Sequence, residues 1–157
     1  MPEPVESAIE IGLLAAATAF ATAQGLDIAM PNGVGTDGRP FSPPNSTPTE
    51  QWLRATVIPA PTTTAGISFD SHFQHMGYLQ IDVLQGYGGG TAPMKRIVSA
   101  IAEAFPFGLT ITQDGFEIKI IPLGTKQVVS QGPMMDDGAG YMKVPVSIPY
   151  HCFAKPA

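Results

Sequence analysis

The sequence predicts an α+β fold: a single domain over residues 1–157, with one mostly antiparallel (mixed) sheet and two helices packed on one face. Three observations predict it. Residues 4–24 and 92–105 repeat apolar side chains at helical spacing. Several other runs alternate apolar and polar residues at the period of a strand. Between two of those runs stands Asp114-Gly115, a two-residue hairpin turn that needs positive φ. At 157 residues and 44% hydrophobic, the chain is long and apolar enough for one core without staples.

The elements follow in order. In residues 4–24, Val5, Ile9, Leu13 and Phe20 share a stripe that Ala16 and Ala17 fill, and Gly25 is placed to end the helix. Residues 28–49 hold five prolines and three glycines, so the segment reads as an irregular stretch with a short strand near residues 28–30. Long loops of about residues 30–50 and 124–140 are candidate partner contacts, because a long loop in a compact domain is commonly functional. Residues 52–58 read as a strand ended by Pro59 and Pro61. Residues 77–85 are a clear strand, with Leu79, Ile81 and Val83 on one face and Tyr78, Gln80 and Asp82 on the other.

Thr91 reads as the cap of the second helix, with Pro93 in its first turn, where a missing N–H is harmless. Its buried stripe is Met94, Ile97, Val98, Ile101 and Phe105, and Pro106 and Gly108 stop it. Around Asp114-Gly115, Leu109 and Ile111 on one side and Phe116, Ile118 and Ile120 on the other alternate as half-buried strands. The last strand, residues 141–150, puts Met142, Val144, Val146, Ile148 and Tyr150 on one face. Pro145 and Pro149 have the opposite parity, so one edge of this strand lacks N–H donors; the strand is therefore expected at the edge of the sheet, with donors kept on its other side at Val144, Val146 and Ile148.

Composition narrows the function. Charged residues are 13%, about half the usual ~25%, and the net charge is −5. An acidic chain without clustered Lys and Arg is not built to grip nucleic acid by its phosphates. A surface this poor in charge suits contact with other proteins. Cys152 is the lone cysteine, so an internal disulfide and a multi-cysteine zinc site are both excluded. Residues 11–23 are largely apolar and end in Ala21-Thr22-Ala23, yet Glu3, Glu6 and Glu10 precede them where a secretory signal carries positive charge. A secreted domain, cleaved after Ala23, is thus the weaker reading, and thirteen apolar residues are too few to span a bilayer. The expectation is no membrane partner and synthesis in the cytoplasm.

Catalytic and ligand motifs are weak. The glycine run at residues 86–90 lies between a strand and a helix, where a phosphate loop would be, but it matches neither the P-loop nor the dinucleotide pattern. It remains the basis of one alternative, a small-anion or nucleotide-binding domain. His72 and His75, with Asp70, lack the spacing of a metal site on an extended segment, and are read as solvated or partner-facing. His151 and Cys152 are neighbours on a strand and face opposite ways, so Cys152 reads as a small core residue. Met134-Met135 followed by Asp136-Asp137 is a different case. Flexible methionines adapt to partners, and these four residues form the candidate contact patch. No catalytic residue, cofactor or metal is expected, and the chain is not expected to be an enzyme.

Taken in order, certain pieces form a recognisable arrangement. They are Trp52-Leu53-Arg54, a Thr/Gly connection, the run from Gly77-Tyr78-Leu79 through Asp82-Val83 and a glycine-rich turn. The helix ending Ala104-Phe105-Pro106 and the terminal Val144-Pro145-Val146-Ser147-Ile148-Pro149-Tyr150 complete it. The chain resembles the tail terminator (tail completion) family of long-tailed, lambda-like bacteriophages over nearly its whole length. The loop at residues 28–49 is longer and residues 86–90 richer in glycine than the family pattern. The resemblance implies a virion structural protein at the tail–neck junction. It implies a homohexameric ring on the head-proximal end of the tail tube, which ends tube polymerisation and meets the head-completion or connector protein. Genomic DNA is then expected to pass the lumen without sequence-specific binding; residues 125–139 are expected to dock on the tube, and Met134, Met135, Asp136 and Asp137 are the candidate partner or lumen contacts. Another neck component, a head-completion or stopper protein, is the alternative within the same class.

Overall fold

The computed structural model describes residues 5–43, 50–64, 73–121, 130–131, 135–136 and 140–154. Its elements are helix α1 (Val5–Gln24), strand β1 (Asp27–Ala29), a short 3-10 turn (Pro31–Gly33) and strands β2 (Gln51–Pro59), β3 (Thr63–Thr64) and β4 (Phe73–Gly86). Helix α2 (Ala92–Ala104), the hairpin β5 (Thr110–Gln113) and β6 (Phe116–Ile120), two short strands β7 (Ser130–Gln131) and β8 (Met135–Asp136), and β9 (Tyr141–Ala154) follow. One sheet joins the strands in the order β1-β2-β4-β9-β6-β5, with β3 on β4 and β7 and β8 on β9. Every pairing is antiparallel except β1 on β2. This is the expected α+β domain.

The spine is the ladder of β4 and β9, each 14 residues long and paired from Phe73↔Ala154 to Gly86↔Tyr141. Both strands run four residues further than their alternation suggests. The extra residues hold His75 and Cys152 at core-facing positions, and these face each other in the register. A histidine at an apolar position hides a strand from a reading based on hydrophobic period.

The last strand is central, not at the edge as its prolines imply. It lies between β4 and β6. The local argument about donors still holds. Ile121 N donates to Pro149 O, so the odd-numbered residues of β9 turn their backbone groups away from β4. On that side the partners come in pieces: β8 at residues 142–143, β7 at 146–147 and β6 at 150–152. Pro145 and Pro149 stand between the pieces. Missing donors cut the pairing into short segments without placing the strand at the border.

Both helices cover one face of the sheet. Leu53, Ala55, Leu79, Ile81, Val83, Val144, Val146 and Ile148 point into a core with Ile9, Leu13, Ala17 and Phe20 of α1 and Met94, Ile97, Val98 and Ile101 of α2. The rings of Phe20 and Phe105 meet at 6.5 Å and tie the helix ends together. Gly12 lets α1 approach the hairpin, since a Cβ there would lie 2.9 Å from Ile118 Cδ1. Helix α1 is long and apolar enough by composition to cross a bilayer, but here its apolar stripe is packed against the sheet. It ends on Gly25 at φ 68°, with Leu26 N donating to Ala21 O and Gly25 N to Thr22 O, a Schellman closure. Thr91 precedes α2 but makes no side-chain cap bond; its carbonyl accepts from Lys95 N instead. The turn Asp114-Gly115 has φ 51° and 83°, as the two-residue hairpin requires.

Candidate assembly surfaces

The face of the sheet opposite the helices carries the even residues of β2 and β4 and the odd residues of β9. One end of it is closed by the chain itself. Ala29, Trp52 and Leu84 are buried there with Phe41 and Tyr141 against them. Phe41 stacks on Trp52 at 5.2 Å, and Tyr141 meets Trp52 edge-on at 5.4 Å. The described part of the long loop at residues 30–50 therefore packs on its own domain. It is held by Met30 N to Val34 O, Gly35 N to Arg39 O and Phe41 N to Gly33 O.

The middle of this face is polar. Asp82 Oδ2 accepts from Arg54 Nε at 3.2 Å and Nη2 at 3.1 Å, and its Oδ1 accepts from Gln80 Nε2 at 2.9 Å. The far end is open and apolar. Ile58 faces Tyr78 across β2 and β4, Tyr78 faces Pro149, and Met76 faces His151. Lys119 completes the row beside His151, and Phe153 meets the His151 ring edge-on at 5.0 Å. Ile58, Tyr78 and Phe153 keep 43%, 39% and 46% of their surface exposed, which is unusual for three large side chains in adjacent rows. The alternation assigns Tyr78 to this face, but Ile58, Met76 and Phe153 join it only through the strand register.

Of the four candidate contact residues, Met135 and Asp136 form β8, both exposed and paired with Lys143 and Met142. Met134 and Asp137 lie outside the described residues, as do His72 and Asp70. His75 is described and is buried, not solvated. Its Nδ1 is 3.3 Å from Thr62 Oγ1 and 3.9 Å from Glu6 Oε1. With Glu10, Pro59 and Tyr150 these residues line a cavity of about 120 Å³, room for a few waters and well short of the ~300 Å³ of a small-molecule site. No group of three His, Cys, Asp or Glu residues able to hold a metal occurs among the described residues.

The glycine turn is tied inward. Gln85 is buried, receives Gln51 Nε2 on its Oε1 at 2.8 Å and donates its own Nε2 to Gly90 O at 2.9 Å. Pro93 removes one N–H from the start of α2. The turn thus offers a poor cradle for an anion. Cys152 is buried on the core face and His151 lies on the other, as the strand period requires.

Burial also sets the titrations. It pushes the Tyr150 phenol up to about 12, with Cys152 and Glu10 adding to the effect. Burial and then Glu117 push the Cys152 thiol up. Burial and then Lys119 push His151 down. Each group is held neutral, and the signs follow. The phenol and thiol contribute stability that is complete below about pH 9 and lost as pH rises through their raised values, that of the phenol toward about 12. The His151 contribution is present above pH 6.5 and lost as pH falls through its lowered value. Melting temperature against pH should therefore show a plateau near neutrality, with an alkaline fall that Cys152→Ala with Tyr150→Phe makes shallower. An alkaline limb unchanged in that double variant would contradict the assignment.

The comparisons agree with this architecture. A family model described as phage tail terminator protein matches residues 8–150. No curated protein matches the chain. One solved chain is 25% identical, with a TM-score of 0.63 over 98% of this chain and 96% of that one. A chain of the virion of a native gene transfer agent particle is 13% identical, with a TM-score of 0.59 over 97% of this chain and 98% of that one; that likeness is one of fold. A match over residues 8–150 takes in both helices and every strand up to the core end of β9, and on it the chain belongs to the phage tail terminator family.

Proposed function

We propose that the chain ends tail-tube growth as a homohexameric ring on the head-proximal end of the tube, and that the ring's other side joins the head-completion or connector protein. The observation that carries this reading is the family match over residues 8–150. A physical feature supports it. A ring of identical subunits closes through two different surfaces on each copy, and this chain has two such surfaces, a helix-covered face and an open sheet face. In this reading the chain works by contact with its neighbours in the virion, as a structural family member would. The segment around Met134, Met135, Asp136 and Asp137 docks on the tube or borders the lumen, where carboxylates keep passing DNA from sticking.

Native mass spectrometry, with negative-stain images of the same sample, tests the reading. The expected species has six times the 16.5 kDa chain mass and ring-shaped views. It forms in solution or on the ends of isolated tubes. Isolated tubes that continue to lengthen in the presence of the protein would overturn it. Replacing Asp136 and Asp137 with Lys should slow DNA ejection; unchanged ejection would remove these two from the lumen.

A further inference from the structure

The helix-covered face and the open face both present distinctive surface at the same end of the long strands. On the helix side, the first turns of α1 are there, because Glu6 Oε1 lies 3.9 Å from His75 Nδ1 on β4. Glu6, Glu10 and Ile11 of these turns are exposed, and α1 carries no basic residue. On the open side, the residue next to His75 is Met76, inside the patch of Ile58, Tyr78 and Phe153. Lys119, beside His151, is the cation at its border, with Glu117 two residues along at the outer corner. Aromatic and methionine side chains in contact with water, rimmed by charge, are what protein interfaces bury.

We propose that the ring closes front to back: the acidic first turns of α1 in one copy seat on the Ile58–Tyr78–Phe153 patch of the next, with Glu6 or Glu10 against Lys119. This rests on the ring reading above and adds which faces meet. A second copy of this chain is the occupant for two reasons. Its exposed helix start is acidic and apolar, and the patch is apolar with a cation at its border, so the two complement each other. The two surfaces also stand at one level along the strands. A head-to-tail contact makes a ring when the rotation between copies closes, and surfaces at one level along the strands need no rise from copy to copy, as closure requires.

The test uses the full chain, prepared with and without nitrogen-15, mixed, and assembled alone or on isolated tail tubes. Carbodiimide then joins carboxylates to amines that already touch. The expected product is a mixed-isotope cross-link from Glu6 or Glu10 to Lys119. Glu6→Lys with Glu10→Lys should raise the concentration needed for rings about tenfold, and adding Lys119→Glu should restore it. Tyr78→Asp should abolish rings while the melting curve stays that of the wild type, since Tyr78 is exposed. Rings whose cross-links all fall elsewhere, or a Tyr78→Asp variant that assembles at the wild-type concentration, would overturn the pairing of faces and leave the ring standing. A chain that is monomeric both in solution and at tube ends would overturn the ring and the pairing together.

Discussion

Replacing Gly77 with alanine is expected to destabilise the protein by about 3 kcal/mol or more, a large part of the ~5–15 kcal/mol typical of a folded protein. The reason is space. Gly77 lies in β4 between Pro59 of β2 and Tyr150 of β9. A Cβ added there would collide with the carbonyl oxygen of Ile58, and it would come within 2.7 Å of Tyr150 Oη and 3.0 Å of Pro59 Cα. The tyrosine could swing away at some cost; the backbone of β2 cannot do so without opening its ladder with β4. Gly25→Ala is the contrast. Nothing lies within 4 Å of an added Cβ there, and only the φ of 68° opposes it, so the expected cost is about 1–2 kcal/mol. Urea unfolding of both variants checks the pair, with a fall in melting temperature of roughly 10 °C for Gly77→Ala. In a Tyr150→Ala background, itself destabilised by loss of a buried ring, the further cost of Gly77→Ala should shrink only in part, because the Ile58 carbonyl remains. A Gly77→Ala variant within about 0.5 kcal/mol of the wild type would mean that the strands part easily at this level. The assembly patch would then be softer than argued, since Ile58, Tyr78 and Pro149 flank these same three residues.

Where the fold was legible in the sequence, one physical rule acted over a short window. The stripe from Ile9 to Phe20, the stripe from Met94 to Ile101, and the Asp114-Gly115 turn each report local geometry, and each element is where its pattern puts it. What failed was inference from local pattern to neighbours in space. Pro145 and Pro149 correctly mark a side of β9 that lacks donors, but nothing in their spacing says that three short partners fill the gaps. Strands of two residues, such as β7 and β8, carry no period at all. The site was less legible than the fold for the same reason. Met135 and Asp136 attract notice because they are odd residues in a run of loop signals. Ile58, Met76 and Phe153 look like ordinary strand residues, and only the register sets them side by side on an uncovered face.

The second large effect expected is an asymmetry at Arg54 and Asp82, 28 residues apart and joined on the open face. The Asp82 side chain is 6% exposed and that of Arg54 37%. Removing one partner of such a pair costs according to what is left behind. Arg54→Ala strands a buried carboxylate that still accepts from Gln80, and should cost about 2 kcal/mol, below the 3–5 kcal/mol of fully buried pairs because solvent already reaches one side. Asp82→Asn leaves a guanidinium that water can reach, and should cost about 1 kcal/mol or less. Arg54→Thr with Asp82→Thr removes both charges and places a threonine pair directly across β2 and β4; it should come back to within about 1 kcal/mol of the wild type. Equal losses in the two single variants would mean that the pair behaves as a surface bridge and that Asp82 is wetter than its burial implies. The expected ordering instead makes the pair a device of register. Arg54 is also the last residue of β2 that β1 covers, paired with Ala29. Beyond it the open face turns from the packed Trp52 end to the bare Tyr78 end. A slip of one residue between β2 and β4 would leave Asp82 buried without its partner and send Ile58 to the helix side, removing a third of the exposed patch. The charge pair therefore supports the assembly surface without touching it. Rings formed by the double threonine variant at the wild-type concentration, beside weaker assembly by Arg54→Ala, are the outcome this argument requires.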